Sequence, residues 1–238
     1  MARNLPPPSP FAGDDGSTDA HLKPALAETD EQQRLRAVVG ALPKARLLVP
    51  VVAHLDERDD PVPGAGGRPV AGEKQASAAM VTVAAPDGRA VMPVFSGMDA
   101  LHRWRPDARP IPVPGPQVAL ASVTEADGLL VLDPGGPVTV LVPRPAVWAV
   151  AQGRSWIPAT EDPEVHDQVS KALGSLPQVR GVGLQAGSGG VTQVVLTLPA
   201  GLSRAEVEHI TAAAGHELAR CDLVAERVDS VQLRVRAC

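Results

Sequence analysis

Apolar positions along the chain fall into short runs separated by proline- and glycine-bearing turns, and the period of each run names an element. Leu35, Val38, Val39 and Leu42 recur at helical spacing, with Thr29 and Gln32 ahead of them in a capping-box pattern. Residues 46–53 are nearly continuous and apolar, as a buried strand is. Pro50 predicts an edge position or a bulge there, because proline has no N–H for the ladder. Residues 80–84 and 90–94 flank Pro86-Asp87-Gly88, and Asp-Gly between two apolar runs predicts a hairpin.

The pattern continues with a short helix that Ser96 caps, Asp99 in its first turn and Leu101 and Trp104 on one face, stopped by Pro106. Residues 109–113 read as extended, and Pro116 opens a second helix reaching about Glu125. The wholly apolar run 128–132 predicts a central strand covered on both faces. A turn at Pro134-Gly135-Gly136 then leads into a strand over 138–142 and a helix over 145–152, with Gly153 beyond its end.

After residue 153 the texture changes. Asp162-Pro163 starts a helix with Val165, Val169, Ala172 and Leu173 on one face. Strands over 182–186 and 191–198 flank the glycine turn 187–190. Ser203 and Glu206 form a capping box ahead of Val207, Ile210, Ala214 and Leu218, and residues 231–236 alternate as a half-exposed strand does. The fold class expected is α/β (α+β) in two small domains. The first is a mixed sheet with flanking helices over 28–153; the second is a helix-strand-strand-helix-strand unit over 163–238. Residues 154–162 read as a linker, which Trp156 pins or whose neighbouring groove it plugs. Residues 1–27, rich in Pro, Ser, Gly and Asp without periodicity, read as a disordered tail, and 56–76 as a mobile loop. Trp104 and Trp148 sit at apolar helix positions and are expected in the core.

Composition narrows the function classes. Aromatic residues make up 2% of the 238 and Tyr is absent, so the stacking platforms of single-strand nucleic-acid binders are missing. A net charge of −5 leaves no broad basic footprint for nucleic acid or anionic lipid. No apolar run approaches the roughly 20 residues that span a bilayer, and Pro6-Pro7-Pro8 stand where a signal peptide needs an apolar stretch. A cytoplasmic protein is expected, with neither nucleic acid nor membrane as partner. Cys221 and Cys238 are too few for a disulfide scaffold and are expected as thiols.

Candidate chemistry is sparse. Residues 181–186 spell Gly-x-Gly-x-x-Ala, yet they lead into a glycine turn and a strand instead of opening a helix, so no dinucleotide site is expected. Glu206, His209 and His216 share a helix, on the face opposite its apolar stripe, where a metal would lack supporting partners. No metal and no cofactor are expected, and no Gly-x-Ser-x-Gly elbow exists. The most suggestive polar turn is Asp133-Pro134-Gly135-Gly136, at the carboxyl end of the most buried strand, where open α/β sheets place ligands; a plain tight turn uses the same residues. If the 129–132 strand runs parallel beside the strand ending at Val94, that turn and the helix start at Ser96 emerge on one edge. The candidate recognition surface is therefore Ser96, Asp99, His102, Arg105, Asp133, Gly135 and Gly136.

Three of these stretches carry a resemblance. Pro93-Val94-Phe95-Ser96, Trp104-Arg105-Pro106 and Leu130-Val131-Leu132-Asp133-Pro134-Gly135 resemble the N-terminal domain of the bacterial SseB family, with Asp133 where Asn is common in that family. Residues 163–238 resemble, more weakly, the C-terminal domain that accompanies it. The resemblance implies two α/β domains and brings no catalytic residues with it. Two functions follow. One is a non-enzymatic interaction or regulatory module with a protein partner; the other is a small-ligand binder or cryptic enzyme using the Ser96/Asp133 edge. A pocket holding both residues would favour the second, an exposed apolar patch the first.

Overall fold

The computed structural model describes residues 11–53, 78–85 and 88–238. The loop expected at 56–76 and the turn residues Pro86 and Asp87 lie outside them. In chain order the first half runs α1 (Leu22–Leu26), α2 (Glu31–Ala41), β1 (Arg46–Ala53), β2 (Ala78–Met80), β3 (Val83–Ala84), β4 (Ala90–Val94), α3 (Met98–Trp104), β5 (Arg109–Pro114), α4 (Gly115–Glu125), β6 (Leu130–Leu132), β7 (Val140–Val142) and α5 (Arg144–Ala151).

Two sheets organise this half. One has the order β3-β4-β6-β7, with β4 and β6 parallel in the register Met92↔Leu130 to Val94↔Leu132. Alternation sends Met92, Val94, Leu130 and Leu132 to one face, against Val38 of α2, Val118 of α4 and Val147 of α5. Val91, Leu129 and Val131 go to the other face, so β6 is buried on both sides as its apolar run predicts. The second sheet, β2-β1-β5, is antiparallel. Pro50 therefore lies in a central strand, not at an edge. It needs no donor there: on that side β1 pairs with Phe95 at Leu48 and with β2 from Val51 onward, and Pro50 falls between.

Helix α2 starts one residue later than its capping box suggests. Asp30, not Thr29, is the cap, and its carboxylate accepts the Gln32 and Gln33 N–H groups at 3.0 and 2.8 Å. An aspartate reaches two orphan amides and also favours the positive end of the helix dipole. Residues 11–27, expected as a disordered tail, form a packed strap instead. Asp14, Asp15 and Asp19 each accept the N–H two residues on, so the polar stretch turns without periodicity. Leu22 of α1 then enters the main core fully buried.

The second half contains α6 (Pro163–Gly174), β8 (Gly181–Ala186), β9 (Thr192–Leu198), α7 (Arg204–Ala219), α8 (Asp222–Arg227) and β10 (Val231–Ala237). Its sheet has the order β10-β9-β8, β10 parallel and β8 antiparallel to the central strand. Every second residue of β9, from Thr192 to Leu198, is buried beneath Val165, Val169 and Leu173 of α6 and Ile210, Ala214 and Leu218 of α7. The unforeseen α8 is too short to show a period, and Val224 is its one buried residue. The Gly-x-Gly run is β8 itself, and a turn follows it.

Polar ties among the described residues hold the halves together. Arg89 forks onto both oxygens of Asp229 at 2.9 Å each, a geometry that adds direction to charge. Arg144 donates to the Ala225 carbonyl at 3.0 Å, Glu31 accepts the Gly189 N–H at 3.0 Å, and Arg36 pairs with Glu161. Trp156, in the connecting segment, packs against the main core. Trp148 does not join that core. It is 43% exposed, because Ala146, Val147 and Val150 already fill the buried face of α5.

Candidate functional site

The parallel pairing of β4 with β6 brings Ser96 and Asp133 together at the strand ends. Ser96 does not cap α3; Gly97 occupies that position in extended backbone, without a side-chain cap. Both donors of Ser96 turn to Asp133 instead, the N–H to Oδ1 at 2.8 Å and the hydroxyl to Oδ2 at 2.7 Å. Asp133 in turn gives its N–H to the Val94 carbonyl at 2.9 Å and holds a left-handed φ of 52°, a conformation Asp and Asn tolerate better than most residues. Ser96 and Asp133 are 2% and 6% exposed. Burial pushes the Asp133 carboxyl above its ordinary pKa, and the two Ser96 bonds and the Arg103 charge offset only part of that rise.

The N-terminal strap seals this pair from outside. Met98 donates its N–H to the Gly16 carbonyl at 2.8 Å and Asp19 donates its N–H to the Ser96 carbonyl at 2.9 Å. The approach is so close that a Cβ on Gly97 would stand 2.8 Å from the Thr18 nitrogen. Arg46 locks the strap down. Its guanidinium meets both Asp14 oxygens, at 2.7 and 2.9 Å, and also donates to the Ser17 and Ser96 carbonyls at 2.7 and 3.1 Å. Its backbone N–H goes to Asp19 at 3.0 Å, and the whole residue is 7% exposed. Sequence reasoning missed Arg46. Its partners lie 27 to 50 positions away, and no local spacing joins them.

The rest of the candidate surface separates from the buried pair. Asp99, His102 and Arg105 are exposed on or just after α3, and Arg105 lies over the Trp104 ring with its guanidinium carbon 5.3 Å from the centroid. Gly135 is exposed with φ 73°, and Gly136, half-buried, gives its N–H back to the Asp133 carbonyl at 3.1 Å. Thr139 donates to the same carbonyl at 2.9 Å. Residues 133–136 thus form a closed tight turn, and neither Ser96 nor Asp133 lines either of the two concave sites where the halves meet. On α7, His209 and His216 are exposed and the Glu206 carboxylate is engaged by Ser203, which holds its pKa below the usual value. Among the described residues no group of three His, Cys, Asp or Glu could hold a metal, both cysteines are free, and no helix is long and apolar enough to cross a membrane.

Concave surface occurs where the halves meet. One cleft of about 430 Å³ lies over the Val91/Val131 face of the first sheet. A second, open groove of about 550 Å³ runs between α5, the connecting segment and α8. Trp148 and Ile157, 43% and 53% exposed, both line it, with Arg144 and Arg154 beside them. Within the groove Arg227 and Asp162 satisfy each other at 2.9 Å. Burial alone would raise the Asp162 carboxyl; Arg227 and the Glu164 N–H outweigh it and hold the pKa below normal. Arg144, Arg154 and Glu226 are the other charged side chains that line the groove, and Glu164 also pairs with Arg227, at 2.8 Å.

Comparison with known proteins gives a single assignment. Residues 22–149 match the family described as SseB protein N-terminal domain, and the match ends before the second half begins, where no C-terminal family matches. No curated protein and no solved structure matches the chain.

Proposed function

The chain belongs to the SseB family, its N-terminal domain spanning residues 22–149, and from that premise we propose that it is a non-enzymatic interaction module that grips a protein partner in the groove beside α5. The observation that carries this reading is the joint exposure of Trp148 and Ile157 between Arg144 and Arg154. The chain has three tryptophans and two phenylalanines, and one of these five rings is left facing solvent in a concave site. Tryptophan and arginine are the side chains most enriched among residues that dominate binding energy. The two arginines beside the exposed ring suit one kind of occupant: a protein segment with an apolar side chain beside a carboxylate. A sealed Ser96–Asp133 pair supports the non-enzymatic half of the proposal, since a substrate has no approach to either oxygen.

Affinity capture from native lysate with the wild-type chain beside a Trp148→Ala/Ile157→Ser double variant tests it. Proteins retained by the first and lost by the second are then purified and titrated directly, with a loss of about 30-fold or more expected if the pair is a hot spot. Charge reversal at Arg154→Glu weakens the same partner and flattens the salt dependence of its binding. A folded double variant that binds the captured partners as tightly as wild type would overturn the proposal.

A further inference from the structure

The cleft over the first sheet adjoins the partner groove, sharing Pro145, Trp156 and Arg227 with it, and carries its own chemistry. Its floor is the second face of the four-stranded sheet, with Val91 and Val131, 1% and 9% exposed, beside half-buried Val83 and Leu141. Its walls include Pro134, Pro143 and Pro158, whose fixed φ keeps them from collapsing inward. The turn 187–190 between β8 and β9 lies over it, tied to the first half by the Glu31–Gly189 bond, while the Arg89–Asp229 fork joins the halves at another point of its lining. A space of about 430 Å³ is far beyond a packing defect. Folded interiors hold few voids larger than a water molecule, and an apolar cavity of roughly 150 Å³ already accepts benzene.

Most of the charged groups around the cleft are engaged by partners of their own; Arg34, which also lines it, reaches the Thr29 carbonyl at 3.5 Å. Asp229 is held by Arg89, Arg227 by Asp162 and Glu164, and Glu31 by the Gly189 N–H. The Thr139 hydroxyl donates to Asp133. Among the described residues no buried side-chain polar atom lacks a partner, so the apolar floor of the cleft asks for no charged or strongly polar guest. We propose that this cleft is a binding site for an uncharged, mainly apolar small molecule of two or three rings or an equivalent short chain. Such a ligand would rest on Val91, Val131 and Leu141 beneath the glycine turn, and would clamp the two halves in their present arrangement.

Titration of the full chain with N-phenyl-1-naphthylamine, an uncharged fluorescent apolar probe, tests the site. Saturable enhancement with one probe per chain and a concentration-dependent rise in melting temperature is expected. Val131→Phe fills the cleft from its floor and should weaken the probe at least tenfold; Val83→Phe, at the edge of the sheet, does the same by a route that does not disturb the central strand and decides the question if the first variant misfolds. Trp148→Ala/Ile157→Ser keeps full probe binding, which separates this site from the partner groove. Absence of saturable binding to the wild-type chain, or equal affinity in a folded Val83→Phe, would overturn the proposal.

Discussion

The sealed strand ends around Ser96 and the open groove beside α5 use the same kinds of side chain to opposite ends. At the seal, Arg46 is buried and its charge answered by Asp14, with carbonyls taking the remaining N–H groups. At the groove, Arg154 stands exposed and an indole faces solvent beside it. Charge that is fully partnered and dry holds a structure in one arrangement, whereas charge left solvated beside an apolar ring is free to meet something else. The lesson is that a polar motif at a strand end indicates function only if its hydrogen-bonding capacity remains open. Ser96 and Asp133 satisfy each other.

The contrast can be broken by mutation, most strongly at the seal. Arg46→Ala removes the counter-charge of Asp14 and one donor each from the Ser96 and Ser17 carbonyls. With Arg46 buried and Asp14 partly in water, the cost is at the low end for breaking a buried ion pair from one side, about 3 kcal/mol. Urea denaturation should show a loss of that size, and a change below about 1 kcal/mol would mean the strap is incidental. Gly97→Ala comes next. Its new Cβ meets the Thr18 backbone nitrogen at 2.8 Å, so the strap must lift, at about 1–3 kcal/mol for overpacking; faster amide exchange in residues 14–19 is the accompanying signature, and unchanged protection there would contradict the seal.

A smaller effect of opposite sign is expected at Asp133→Asn. A carboxyl raised above its ordinary value of 3.8 stabilises the fold fully only below that pH, and the contribution is lost as pH rises through the folded pKa. At neutral pH Asp133 is therefore a burden that a neutral amide removes, while Asn keeps an acceptor for the Ser96 N–H and offers a donor to its hydroxyl. The variant should melt higher than wild type at pH 7, with the advantage shrinking as pH approaches 4 in parallel melts. A constant difference across that range would show that the proton plays no part. The smallest change in stability, within about 0.5 kcal/mol, is expected at the groove for Ile157→Ser, whose side chain is half in water; a larger loss on thermal melting would mark Ile157 as structural and remove it from the interaction surface.

Much of the fold was legible because period and punctuation are local. The β6 run, the Ser203–Glu206 capping box and the apolar stretch of β9 each occupy fewer than ten consecutive positions, and each element forms where its pattern stands. β10 forms as well, but as an edge strand exposed at all but Leu233 instead of on one face. The conditional register of β4 beside β6 was legible as well, since apolar strands buried on both faces favour parallel neighbours. Of the candidate surface, the arrival of Ser96 and Asp133 at one edge was anticipated as a condition on the strand pairing; their bonding to each other and their closure were not. Nothing in the proline- and aspartate-rich opening signalled that Asp14 and Asp19 would find Arg46, or that Leu22 would lie in the main core. Nor did the helical position of Trp148 reveal that three smaller residues already filled the inward face of α5.

By itself, then, the sequence determined most of the helices and strands, α1 and α8 excepted, the order in which they come, the apolar sets that fill the main core of each half and the family of the first half. These depend on neighbours within a few residues, and local sterics and burial decide them before the chain is folded. Tertiary structure alone decided which polar groups are answered and which remain open. A partner 27, 37 or 50 positions away exerts no force until the fold brings it within hydrogen-bond reach. The strap over Ser96, the exposure of Trp148 and the cleft under the glycine turn all come from such distant meetings.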